Sequence, residues 1–287
     1  MRPNMSARHA RQNRSGFTLI ELLVVISIIA TFMVLVVSGV TAFRQNVSDR
    51  ATEARFNRLQ TSLNREYGDV VQKGQHDKIP DQVLAYCEGN QDRARAVHTA
   101  ALLRANLPET FAEATTPFVI GGYTYTTKAA FKQVAGVSVT PAQESAILLF
   151  LILSEQSVGG NTGESIAADE TTLITTNTGK QLRMLVDTRG TLVEFRRWAQ
   201  NAELDRVPGD YAVPEPKTKS IDPLDPLKLV TGWSNAAALN AAPLNLKFTG
   251  NNRLPTLIGY GRNQKFDNYV PDDVLGYRLN RYGKRGN

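Results

Sequence analysis

One carboxylate, Glu21, heads an uncharged run from Leu22 to Phe43 and lies five residues after Gly16. An ionised acid inside a bilayer is costly, so a carboxylate in such a place is a candidate for function and calls for a cationic partner. Elsewhere the residues that do chemistry are scattered. His9, His76 and His98 stand apart, and no metal-ligand spacing such as H-E-x-x-H occurs. Cys87 is the one cysteine, which excludes an internal disulfide, a redox pair and a cysteine-based zinc cluster. No G-x-x-x-x-G-K-[ST] phosphate loop or G-x-S-x-G elbow is present. Gly259-Tyr260-Gly261 lacks the third glycine of a dinucleotide loop and reads as a turn. Asp267, Asp272 and Asp273 in "KFDNYVPDDV" offer oxygens of the kind Ca²⁺ takes, with a solvated turn as the plainer reading. No catalytic constellation forms, so the chain reads as non-enzymatic, with calcium as the one candidate cofactor.

The element that positions Glu21 is the run itself. Its 22 uncharged residues make a helix of roughly 33 Å, the thickness of a bilayer core. Arg2, Arg8, Arg11 and Arg14 precede it and Arg44 follows, which predicts a cytoplasmic N-terminus and an extracytoplasmic remainder. These four arginines also account for most of the net charge of +6: taking them from 33 basic residues leaves 29 against 27 acidic ones. The rest of the chain is nearly neutral, which argues against a nucleic-acid partner. Three readings fit the opening segment. A secretory signal peptide would be cut after Val40-Thr41-Ala42, but the run is longer than such peptides need. An uncleaved signal anchor explains length and orientation but leaves Glu21 without a purpose.

The third reading uses every residue. "GFTLIELLVVISIIA" resembles the N-terminal signature of type IV pilins and of the pseudopilins of type II secretion. The resemblance implies cleavage by a prepilin peptidase between Gly16 and Phe17, N-methylation of Phe17, and an assembly role for Glu21. In such filaments the glutamate is thought to meet the α-amine of a neighbouring subunit. Pairing would neutralise both charges where the dielectric is low. Glu21 in a first helical turn also complements the helix dipole, a reading that stands beside the first. Many pilins carry a proline at the position of Ser38; here Ser38-Gly39 only weakens the helix.

Beyond Arg44 the pattern becomes amphipathic. Phe56, Leu59, Leu63 and Tyr67 recur at helical spacing, and Gly68 and Gly74 are expected to end the helix. "PDQVLAYCEGNQDRARAVHTAALLRANLP" reads as one or two helices. "VTPAQESAILLFLILSEQS" reads as a buried helix, with Thr140 and Gln143 as its capping box. "QLRMLVDTRGTLVEFRRWA" has the alternation of a β-hairpin that reverses at Asp187 to Gly190. Val207 to Pro226 is linker-like, and "LNLKF", "LPTLIGYG" and "VLGYRL" are strand candidates.

The expectation is a pilin-like α+β protein. A long N-terminal helix, half membrane-spanning and half amphipathic, would pack on a globular head with further helices and a small antiparallel sheet. The expected division is a leader at 1–16, an assembly helix at 17–43, its amphipathic continuation at 44–68, and a periplasmic head at 69–287. Its partners would be the prepilin peptidase, other pilin or pseudopilin subunits, an inner-membrane assembly platform and the lipid bilayer, with no nucleic acid. The resemblance implies a single-pass protein of the bacterial inner membrane that enters a pilus or pseudopilus. A minor type IV pilin with a binding head and a signal-anchored periplasmic enzyme are the alternatives.

Overall fold

A computed structural model describes residues 18–154, 166–198, 222, 224–248, 255–260 and 274–275. Two compact units divide the chain, residues 1–49 and 50–287. α1 (Leu19–His76) begins in the first and continues into the second. In the first unit the apolar side chains point outward: Leu19 is 83% exposed and Phe32 64%. A 23-residue stretch, Leu19–Thr41, is long and apolar enough to cross a membrane.

The second unit is mixed α+β. After α1 come α2 (Asp81–Tyr86), α3 (Gln91–Asn106) and α4 (Phe111–Thr115). The hairpin β1 (Phe118–Ile120) and β2 (Tyr123–Tyr125) follows, then a 3₁₀ turn at Ala129–Val134 and α5 (Pro141–Ser154). The remaining elements are β3 (Thr171–Thr175), β4 (Gln181–Leu185), β5 (Val193–Arg196), α6 (Ala236–Asn240), β6 (Thr256–Gly259) and β7 (Val274–Leu275). The expected small sheet is divided among three antiparallel ones: β1-β2, β3-β4 and β5-β6-β7.

Local chemistry sets most helix ends. The α2–α3 break falls where Glu88 and Gly89 take left-handed backbone, at φ 59° and 76°. Asn90 then caps α3 by accepting from the Arg93 N–H at 2.9 Å. The capping box at the start of α5 is present: Gln143 N–H donates to Thr140 Oγ1 at 3.4 Å, and Thr140 N–H to Gln143 Oε1 at 3.0 Å. Nearly every residue from Ser145 to Leu153 is buried, and α5 packs on β4 and β5. At about 1.5–3 kcal/mol per large apolar side chain, that run makes α5 a main prop of the core.

Four expectations change. α1 does not end at Gly68 or Gly74 but runs to His76. Gly74 is there because α3 comes close: a Cβ would lie 2.6 Å from Thr99 Oγ1. The Asp187 reversal does not close a hairpin of β4 and β5. β4 pairs with β3 over five residues, β5 pairs with β6, and only a bridge at Val186 and Leu192 joins the two arms. "LNLKF" is not a strand, because Asn245 and Lys247 have φ of 47° and 53° while Leu246 and Phe248 are buried. The end of the supposed linker is also packed, with Asp222, Leu224 and Asp225 all buried.

Candidate assembly site and the clamp on the head

Glu21 is the third residue of α1, and Thr18 is its N-cap. Glu21 N–H donates to Thr18 Oγ1 at 3.3 Å, while Thr18 N–H and its hydroxyl each donate to Glu21 Oε2 at 2.9 Å. This is a reciprocal capping box, which gives partners to donors that the first helical turn cannot bond internally. Both Thr18 bonds fall on Oε2, and among the described residues Oε1 accepts none. The carboxylate is thus oriented by its own chain. The T-x-x-E spacing of Thr18 and Glu21 carried this signal in the sequence. Gly16 and Phe17 lie outside the described residues, as do Asp267, Asp272 and Asp273.

Along the apolar span every hydroxyl turns back on its own helix. Ser27 donates to the Leu23 carbonyl at 2.5 Å and Thr31 to that of Ser27 at 2.8 Å. Ser38 donates to the carbonyls of Val34 and Leu35 at 2.9 and 3.0 Å, and Thr41 to those of Val37 and Ser38 at 3.0 and 2.8 Å. Such back-bonding lets a polar group sit in an apolar surrounding without an outside partner. The helix is unbroken through Ser38-Gly39.

Within the second unit, α1 is clamped by specific groups. Phe56, Leu59, Leu63 and Val70 are fully buried on one stripe, and Tyr67 is partly buried. Gly259 meets the Phe56 ring so closely that a Cβ would lie 2.2 Å from Phe56 Cζ. Gly259 is thus a strand residue under a ring, not the turn its sequence suggested. The buried Gln60 amide acts like a short strand beside β6: it donates to the Pro255 carbonyl at 2.8 Å and accepts from Leu257 N–H at 3.0 Å. Arg55 bonds Asp169 at 2.9 Å and Lys128 bonds Glu66 at 2.7 Å, while Arg58 pairs with Glu170.

The same unit holds a buried ionic cluster. Arg197, with no exposed surface, pairs with Glu113 at 3.0 Å, and Lys247 pairs with Glu109 at 2.9 Å. Arg104 donates to the Pro243 carbonyl at 2.8 Å. Burial works against the charge on Glu109, but Arg197 and Lys247 outweigh it and hold the carboxyl below the usual carboxylate range. The pairings span long stretches of chain, 84 positions for Arg197–Glu113 and 138 for Lys247–Glu109, and no spacing announced them. Cys87 is buried, and that burial pushes its thiol up to about 11, as befits a packing residue. Among the described residues no group of three or more His, Cys, Asp or Glu is placed to hold a metal ion.

Residues 11–37 match the family model described as the prokaryotic N-terminal methylation motif. Together with the apolar helix from Leu19, this fits a type IV prepilin-like protein. The motif implies processing by a prepilin peptidase and assembly with other pilin subunits. The match ends at residue 37, so the second unit lies wholly outside it. Comparison with curated proteins and with solved structures finds no match.

Proposed function

We propose that the protein is a structural subunit of a pilus or pseudopilus, serving type II secretion. It enters the inner membrane as a precursor with its N-terminus in the cytoplasm and its head in the periplasm. Cleavage between Gly16 and Phe17 frees an α-amine, which is methylated. Glu21 then receives the amine of a neighbouring subunit on an inner-membrane assembly platform, and the subunits join head-to-tail into an open filament. The chain performs no chemistry of its own. The observation that carries this reading is the methylation motif, residues 11–37, overlapping a 23-residue apolar helix whose Glu21 is already oriented by Thr18.

The test is the intact mass and N-terminal sequence of the protein extracted from membranes. A start at Phe17 with one added methyl group is the expected result. A retained Met1, or a start at Phe43, would remove the reading. Calcium held by Asp267, Asp272 and Asp273 belongs to the same proposal: a chelator then lowers the melting temperature of the head, and an unchanged value removes calcium from it.

A minor type IV pilin with a binding head is the second reading. It is favoured by a cavity of about 340 Å³ lined by Gln75, Asp92, Arg95, Leu224 and Leu229. Quantitative mass spectrometry of sheared filaments separates the two, since a minor subunit is present far below the amount of the main one.

A further inference from the structure

We propose that the β1–β2 hairpin is an acid-released element, held on α3 only while His98 is neutral. Two side chains of α3 grip the hairpin through one stack of rings. The Arg104 guanidinium lies 3.9 Å from the centroid of the Phe118 ring. Phe118 and Tyr125 are cross-strand partners, with rings stacked 5.2 Å apart and 11° from parallel. The Tyr125 hydroxyl then meets His98 Nδ1 at 2.8 Å. His98, Phe118 and Tyr125 are all nearly inaccessible, at 4%, 4% and 3% exposure. With three residues per strand and a Gly121-Gly122 turn, the hairpin depends on such neighbours for its order.

His98 Nε2 is buried and has no hydrogen-bond partner. Whichever ring nitrogen holds the hydrogen of the neutral ring, the imidazolium carries one on both, so Nε2 becomes or remains a donor with no acceptor and a second cation is placed on a stack that already carries Arg104. Arg104 has no hydrogen-bond partner at Nε and Nη1, and the one carboxylate acting on it, Glu113, lies 3.9 Å from Nε and is bonded at 3.0 Å by Arg197. The other groups that act on this cluster do little to repay the cost. Lys73 of α1 and Arg95 of α3 oppose a charge on His98, and Asp77, just past α1, favours one. Asp77 is engaged elsewhere, pairing with Lys73 at 3.1 Å. Cys87 and Tyr123, which act on Tyr125, contribute no positive charge.

Burial first, helped by Arg95 and Lys73, lowers the His98 pKa below its ordinary 6.5 against the pull of Asp77. His98 therefore binds the proton more readily when the hairpin is released than when it is docked. The stabilisation is complete above about pH 6.5 and is lost as pH falls through the folded value.

Hydrogen exchange read by mass spectrometry on the full chain in detergent micelles tests this, with rates corrected for intrinsic pH dependence and α5 as the internal reference. Protection of residues 118–125 should fall by up to about tenfold per pH unit below the onset of titration, while that of α5 holds. His98→Gln, which keeps a side-chain partner for Tyr125 without a titrating ring, should abolish the pH dependence. Tyr125→Phe should weaken protection at every pH yet leave the dependence in place. Equal protection at pH 7.5 and 5.5 in the unaltered protein overturns the proposal, as does an unchanged pH dependence in His98→Gln.

Discussion

The two stretches of α1 share a backbone conformation and differ in everything else. From Leu19 to Thr41 the helix is apolar on all sides, and its large side chains are about half exposed or more. From Arg50 to His76 a single apolar stripe is buried, and the remaining faces carry charges that bond the head. What separates the two stretches is where the apolar surface finds cover. The second stretch is covered by its own chain, at Phe56, Leu59, Leu63 and Val70. Among the described residues the first finds no cover, which is the condition of a helix made for lipid or for other subunits.

Substitutions sharpen this contrast, and the largest effect belongs to the covered stretch. Phe56→Ala should destabilise the head by about 3–5 kcal/mol, because it empties a fully buried site against Gly259. Thermal unfolding in detergent measures it as a clear drop in melting temperature. Gln60→Ala should cost less, about 1–3 kcal/mol, by leaving the Leu257 N–H and the Pro255 carbonyl without partners. The same melt measures it, and faster exchange at residues 256–259 localises it. Val36→Ala, in the uncovered stretch, should change head stability by no more than about 0.5 kcal/mol. A loss in Val36→Ala comparable to that in Phe56→Ala would erase the distinction between the two stretches.

Much of this was legible in the sequence, and the failures have physical causes. Helix cores and the Thr140–Gln143 cap could be read because they depend on neighbours within four residues. Strand pairing could not. The Asp187 turn is a sound local signal: the Asp187 carboxylate accepts from the N–H groups of Arg189 and Thr191. Yet β4 and β5 each found a better partner elsewhere along the chain. Gly74 and Gly259 looked like punctuation and are points of close approach, a property that depends on Thr99 and Phe56 rather than on adjacent residues. The Arg197–Glu113 pair spans 84 positions and has no local signature. At the candidate assembly site the residue types alone singled out Glu21; the Thr18 cap was equally present in the spacing and became evident only with the geometry.

The most direct test of the central claim is the fate of Glu21→Ala in cells that assemble the filament. Membrane insertion, head folding and cleavage after Gly16 should be retained, while the subunit is largely lost from the sheared filament fraction. Incorporation at the level of the unaltered protein, with the other steps equally intact, would contradict the account: Glu21 would then be a helix cap and nothing more.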